Sequence, residues 1–467
     1  MTRIVIIGGG PAGYEAALVA AQHGADVTVV EREGMGGACV LDDCVPSKTL
    51  ISSAGVRVEL RRAEELGVHV DRQGSAVDLP TVNRRVKSLA LAQSADVRAR
   101  LEREGIRIIR GAACFTAAAA QRAPHVAQAH GTDGSSEDLP ADVVLIATGA
   151  APRVLDDARP DGERILTWRQ LYDLPELPEH LVVVGSGVTG AEFCSAYVEM
   201  GCTVTLVSSR DRVLPSEDAD AAAVLQDVFA ERGVQIMPQA RAESVKRTDD
   251  GVVVTLTDGR TVSGSHALMT VGSVPNTADL GLQHVGIETD RGGSIPVDRV
   301  SRTSVPGIYA AGDCTGVLML ASVAAMQGRI AMWHALGEGV APIKLKTVAA
   351  AVFTRPEIAT VGISQRAIDA GEVPARTIML PLSTNPRAKM QGLRRGFVKL
   401  FCRPATGVII GGVVVAPVAS ELILPIAMGV QNGLTVEDLA HTFSVYPSLS
   451  GSITESGRQL MRHGDLD

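Results

Sequence analysis

Cys39 and Cys44 stand five positions apart and are followed by Pro46-Ser47-Lys48. Two thiols at that spacing, with those residues after them, read as a disulfide that is made and broken during turnover. Val40-Leu41-Asp42-Asp43 lies between them. Two carboxylates next to Cys44 would raise its thiol pKa above the reference of about 8.5 if they lie close in space, and so disfavour the thiolate. A working disulfide and an inert remnant both stay open at this point. Cys114, Cys194, Cys202, Cys314 and Cys402 have no partner at motif spacing and read as buried apolar residues. Seven cysteines without zinc-type or disulfide-framework spacing, and without a signal peptide before them, predict no metal site and a reducing, cytoplasmic setting.

The elements that must position such thiols include one nucleotide-binding device written twice. Arg3-Ile4-Val5-Ile6-Ile7 is an apolar strand, Gly8-Gly9-Gly10-Pro11-Ala12-Gly13 turns it into a helix through Ala25, and Val27 to Val30 is a second strand ending at Glu31. The repeat runs from strand Leu181–Val184 through Gly185-Ser186-Gly187-Val188-Thr189-Gly190 to a helix ending near Met200, then a strand Thr203–Val207 ending at Ser208. In each unit the first glycine makes the tight turn and the second lets the backbone reach a pyrophosphate. The third lets helix and strand pack closely, so that the helix N-terminus faces phosphate charge. One such turn is weak evidence; two, each inside a strand-helix-strand unit, make coincidence improbable. Glu31 is placed to accept hydrogen bonds from a ribose diol. Its counterpart, Ser208, carries no charge to repel a 2′-phosphate, and Ser209-Arg210 follow, so NADPH should be accepted.

Further signals divide the chain. Asp142 to Ala150, containing Thr148 and Gly149, reads as a buried strand leaving a first domain, and Leu268 to Asn276, containing Gly272, reads as its counterpart leaving a second. Gly307 to Asp313 is then a strand ending in an acidic turn at Gly312-Asp313, before a helix from Leu320 to about Leu336. The predicted fold is α/β, with two Rossmann-like nucleotide-binding domains and an α+β C-terminal domain. The expected boundaries are 1–150, 151–276, 277–345 and 346–467. Gly396 to Phe401 is expected to be an alternating strand, Ala117 to Pro140 an exposed hairpin, and the apolar run Val408 to Val430 a buried strand followed by a helix. That last run holds Glu421, Pro417 and Pro425, residues costly in hydrocarbon, so stable membrane insertion is not expected. At 467 residues, 44 Lys+Arg against 52 Asp+Glu and net charge -8, the chain is too long for one core and too acidic for a nucleic-acid footprint. The 48 glycines and 3% aromatics fit many tight strand-to-helix turns.

These motifs together resemble the pyridine nucleotide-disulfide oxidoreductases over essentially the whole chain. The resemblance implies an FAD domain in two pieces, an inserted NAD(P) domain and a C-terminal dimerisation domain. It assigns Gly8, Gly10, Pro11, Ala12, Gly13, Glu31, Thr148, Gly149 and Gly312 to FAD, with Asp313 at the ribityl-phosphate end. Ala321 starts a helix whose dipole would favour an anionic reduced flavin. Gly185, Gly187, Val188, Gly190, Ser208, Ser209, Arg210 and Gly272 would serve NAD(P)H. Lys48 and Glu192 are similar to a family pair beside the flavin, the carboxylate holding the lysine. At the C-terminus the sequence departs from the family, whose disulfide-reducing members carry His-Pro-Thr with a Glu five residues after the His. Tyr446 stands at the His position and Gly451 at the Glu position. An imidazole titrates near neutrality and can protonate a leaving thiolate, whereas a phenol with pKa about 10 cannot without large perturbation. His441, five residues upstream, is the nearest alternative imidazole.

The sequence therefore points to a cytoplasmic homodimeric FAD enzyme passing electrons from NAD(P)H to a quinone or another small-molecule acceptor, with Cys39, Cys44, Lys48, Glu192 and Tyr446 at the reacting centre. Higher assembly is left open. A quinone needs no thiol leaving group and can be protonated by solvent or by a hydroxyl such as that of Tyr446. Dihydrolipoamide dehydrogenase is the alternative the cysteines favour, and a binding or regulatory flavoprotein the one that Lys48 and Glu192 oppose.

Overall fold

The computed structural model describes residues 1–69, 76–116 and 125–461. Four apolar residues in a row, Ile4 to Ile7, suit a strand covered on both faces, and Arg3–Ile7 sits inside a seven-stranded sheet. Its parallel neighbours are Asp26–Glu31 and Val143–Ile146, and Ile308–Ala310 adds to the latter's free edge. The first sheet is thus completed by a strand that lies after the whole second unit. Arg107–Cys114 extends the other side, followed by the antiparallel hairpin His125–Gly131 and Ser136–Ala141. Part of the expected hairpin, residues 117–124, lies outside the described residues. The rest is less exposed than expected, because Val126, Ala127 and Ala129 turn into the core. The first helix, Pro11–Gln22, stops short of Ala25, since His23 leads into Gly24 at φ +75°.

The second unit is a five-stranded parallel sheet in the order Gln235–Met237, Thr203–Val207, His180–Val184, His266–Met269, Ile165–Leu166. A three-stranded antiparallel sheet spans Ala242 to Gly264 beside it. Where the chain enters and leaves this unit, Ala150–Pro152 and Ser273–Pro275 pair antiparallel. Two sheets with parallel strands at their centres, and helices of 12 and 13 residues after the glycine turns, make the α/β class plain.

The third unit is a five-stranded antiparallel sheet, Ala349–Val352, Glu357–Gly362, Ile409–Ala416, Phe397–Cys402, Arg376–Pro381. Phe397–Cys402 was expected to alternate between core and solvent, and it does not, for all six residues are buried. Phe397 and Phe401 pack on the second unit, whereas Val398 and Leu400 pack under the C-terminal helices. Lys399 is tolerated there because its Nζ meets Asp218 at 2.8 Å and Asp220 at 2.6 Å. The apolar run after 408 is the strand Ile409–Ala416 and the short helices Ala419–Leu422 and Leu424–Asn432. Among the described residues no helix is long and apolar enough to cross a membrane.

Candidate active site

The two glycine turns are built alike. Gly8 and Gly185 hold φ of +109° and +115°, closed to most side chains, and donate N–H to Val30 O at 2.9 Å and Val207 O at 3.0 Å. A Cβ on Gly13 or on Gly190 would come 1.9 Å from the carbonyl oxygen of Gly8 or Gly185, so helix and strand touch there backbone to backbone. At Gly10 and Gly187 a Cβ would meet nothing within 4 Å. Those middle glycines instead leave open space in front of two helix N-termini that no side chain caps. That is the cradle a dinucleotide's phosphates require, so each set of residues fits a dinucleotide such as FAD or NAD(P)H.

The first cradle opens into a cleft that Gly8, Gly10, Pro11, Ala12, Glu31, Thr148, Gly149, Gly312, Asp313 and Ala321 all line, together with both cysteines. Glu31 accepts N–H from Gly9 at 2.6 Å and Glu33 at 2.7 Å, and so fixes the turn while facing the cleft. Thr148 donates its hydroxyl to Asn276 O at 2.8 Å and Asn276 returns its amide to Thr148 O at 3.0 Å, locking the two crossings together. Buried Gln327 takes the Gly312 N–H at 2.9 Å and shapes the acidic turn. Burial and the charge of Asp43 push the Asp313 carboxyl up to about 6. Helix Ala321–Ala335 begins at the cleft without a side-chain cap, leaving its N–H groups free for a partial negative charge.

The cysteines sit at the junction of helices Gly37–Leu41 and Cys44–Arg62, both as free thiols. Cys44 donates to Cys39, which holds the Cys39 thiol below its ordinary value against burial and Asp43. The same hydrogen bond, with burial and Asp43, pushes the Cys44 thiol far up. Only one of the two adjacent carboxylates acts as expected. Asp43 faces the thiols, while Asp42 turns away to Arg169, 3.4 Å distant. One turn on, Lys48 Nζ meets Glu192 at 2.8 Å, and the other Glu192 oxygen accepts the Phe353 N–H at 2.9 Å. Burial works against the lysine's charge, but Glu192, Cys44 and Asp43 outweigh it and hold the pKa above its ordinary value. The Phe353 ring lies 4.9 Å from the ammonium. Phe353, Asn276, Gln327 and Arg169 carry no motif, and only tertiary contact brings them to the site.

In the second unit Ser208 is fully buried, its hydroxyl 2.7 Å from that of Ser186 and accepting the Arg210 N–H at 3.1 Å. It braces the loop from inside, whereas Ser209 and Arg210 are exposed. Gly272, at φ +97°, lies between the strand His266–Met269 and the crossing strand Ser273–Pro275. Tyr446 is 82% exposed and does not line the cysteine cleft of its own chain, nor does His441. Cys194, Cys202, Cys314 and Cys402 are buried as expected, but Cys114 is half-buried, with Sγ 4.0 Å from His130 Nε2.

Comparison with known proteins agrees with this geometry. The description pyridine nucleotide-disulphide oxidoreductase matches residues 2–328, and the dimerisation domain of that group matches residues 348–456. A Mycobacterium tuberculosis protein named NAD(P)H dehydrogenase (quinone) is 66% identical over 470 residues, covering 100% of this chain and 95% of the relative. Dihydrolipoyl dehydrogenase 2 of Haloarcula marismortui is 34% identical, covering 97% and 96%. The crystal structure of LpdA from Mycobacterium tuberculosis superposes with TM-score 0.95 at 65% identity, covering 99% of this chain and 100% of the other. The HOCl-induced flavoprotein disulfide reductase RclA of Escherichia coli gives 0.85 at 25% identity, covering 99% and 100%.

Proposed function

We propose, from the premise that this chain belongs to the pyridine nucleotide-disulphide oxidoreductase family, that it is an FAD enzyme passing electrons from NAD(P)H to a quinone. The family uses FAD and NAD(P)H, and when bound, FAD supplies a two-electron relay between nicotinamide and acceptor. The chain's residues bind and orient. Gly10 and Gly187 admit the two diphosphates, Glu31 takes the ribose, and Glu192 holds the Lys48 ammonium at the redox centre. Ser209 and Arg210 reach a 2′-phosphate. The observation that carries the choice of acceptor is at the C-terminus: Tyr446 and Gly451 stand where the family's disulfide-reducing members carry their His and Glu. A disulfide substrate needs an acid for its leaving thiolate, and a quinone does not.

The dimerisation region supports a homodimer, as do the exposed apolar side chains Phe443, Val445, Tyr446, Leu424 and Met428 within it. The domain boundaries we assign are 1–150, 151–276, 277–345 and 346–467, and the compartment is the cytoplasm. A second reading, dihydrolipoamide dehydrogenase, draws support from the hydrogen-bonded thiol pair and the Haloarcula relative. Steady-state turnover with lipoamide against a soluble quinone, under NADPH, separates them. Fast quinone reduction with negligible lipoamide reduction is expected, and robust lipoamide turnover that disappears in Cys44→Ser would overturn the proposal. Arg210→Ala should weaken NADPH about tenfold more than NADH, the worth of one charge-assisted contact of roughly 1.5 kcal/mol.

A further inference from the structure

The cleft that receives FAD is walled by negative charge. Its lining carries five carboxylates, Glu31, Glu33, Asp43, Asp279 and Asp313, against two guanidiniums, Arg32 and Arg169. The FAD diphosphate adds about two more negative charges, and a helix N-terminus returns only roughly half an elementary charge. Arg32 is 68% exposed and spent on Glu33, so it offers little to a ligand inside.

Arg169 is placed differently. It follows the strand Ile165–Leu166 of the second unit and reaches across the cleft mouth to the first. Its side chain is 31% exposed, with ion-pair contacts of 3.4 Å to Asp42 and 3.8 Å to Glu33. Neither contact is a hydrogen bond. Arg169 Nε is buried without an acceptor and Asp42 Oδ2 is buried without a donor. A guanidinium carries five donors in a planar fork, and leaving a buried one unmet is costly. The fork matches two phosphate oxygens as well as it matches a carboxylate.

We propose that Arg169, a residue of the NAD(P)-binding unit, is a ligand of the FAD diphosphate, and that Asp42 is its rival for that guanidinium. The inference rests on the assignment of this cleft to FAD. On binding, the fork exchanges a poorly aligned carboxylate for phosphate oxygens, and the cofactor then bridges two units of the chain. No bond is made or broken.

The test is the rate of FAD release from diluted holoenzyme, read by the return of free-flavin fluorescence. Arg169→Ala should release FAD at least tenfold faster than the unmodified protein, Arg169→Lys should fall between, and added salt should speed the unmodified protein more than Arg169→Ala. Asp42→Asn should release FAD more slowly, and that gain should vanish when Arg169 is already Ala. If Arg169 were merely a strut between Asp42 and Glu33, removing either end would loosen the cofactor alike. Faster release from Asp42→Asn therefore overturns the proposal, as does an unchanged rate in Arg169→Ala. Should Arg169→Ala not fold, the opposed signs of Arg169→Lys and Asp42→Asn decide the matter. An unmodified protein that retains no FAD would instead refute the cofactor assignment on which the inference stands.

Discussion

Asp313 lies where burial and a like charge penalise its ionised form, with a pKa of about 6 against an ordinary value of about 3.8. A carboxyl raised on folding weakens stability as pH rises from the unfolded value through the folded one, and below both values the penalty is absent. Between pH 4 and pH 7 the FAD-free protein should thus lose on the order of 2–3 kcal/mol at this residue. Asp313→Asn should remove that loss, so its thermal midpoint should exceed that of the unmodified FAD-free protein at pH 7.5 and converge with it near pH 4. Asp43 makes the complementary case at the thiols. Because its charge raises both cysteines, Asp43→Asn should move the pH dependence of iodoacetamide alkylation of the reduced pair to lower pH. Asp42→Asn should move it less, since that side chain faces Arg169. This difference between neighbours was not legible in the sequence, where two consecutive aspartates look equivalent. The break between helices Gly37–Leu41 and Cys44–Arg62 aims them apart.

At the scale of one element, the glycine turns separate folding from binding within four residues. Gly13→Ala drives a Cβ into the Gly8 carbonyl and should destabilise the first unit by about 2 kcal/mol or more, seen as a lowered urea midpoint. Gly10→Ala meets only open space at an ordinary φ of -68°, so the midpoint without cofactor should hold while FAD affinity falls at least tenfold. The turns were readable from sequence because each is a local device, its strand, glycines and helix lying within about thirty residues. Lys48 and Glu192 came only with the family resemblance, and 144 positions separate them. Arg169 left no local trace at all. Phe397–Cys402 was misread because a lysine inside an apolar run imitates alternation, and only Asp218 and Asp220, contributed by another unit, reveal why it is buried.

That lysine also ties the molecule together. Lys399 is 2% exposed and Asp218, the cap of helix Ala219–Glu231, is 3% exposed, so the pair joins the third unit to the second inside a shared core. Lys399→Met strands a buried carboxylate and should cost about 3–5 kcal/mol in denaturant unfolding, most of it recovered in the double variant with Asp218→Asn. The first sheet binds the molecule over a still longer span, because its edge strand Ile308–Ala310 pairs with Val143–Ile146 only after the inserted unit. On the ribosome that order has a price in time. With chain emerging at about 5–20 residues per second, the open edge of Val143–Ile146 waits on the order of 8–32 s for its partner. A nascent chain in that interval presents unpaired backbone amides and carbonyls to its neighbours, whereas the inserted unit can already close on itself. The half-made sheet is then the stretch that a chaperone must cover, and a translational pause after about residue 280 would prolong its exposure while one after about residue 340 would not.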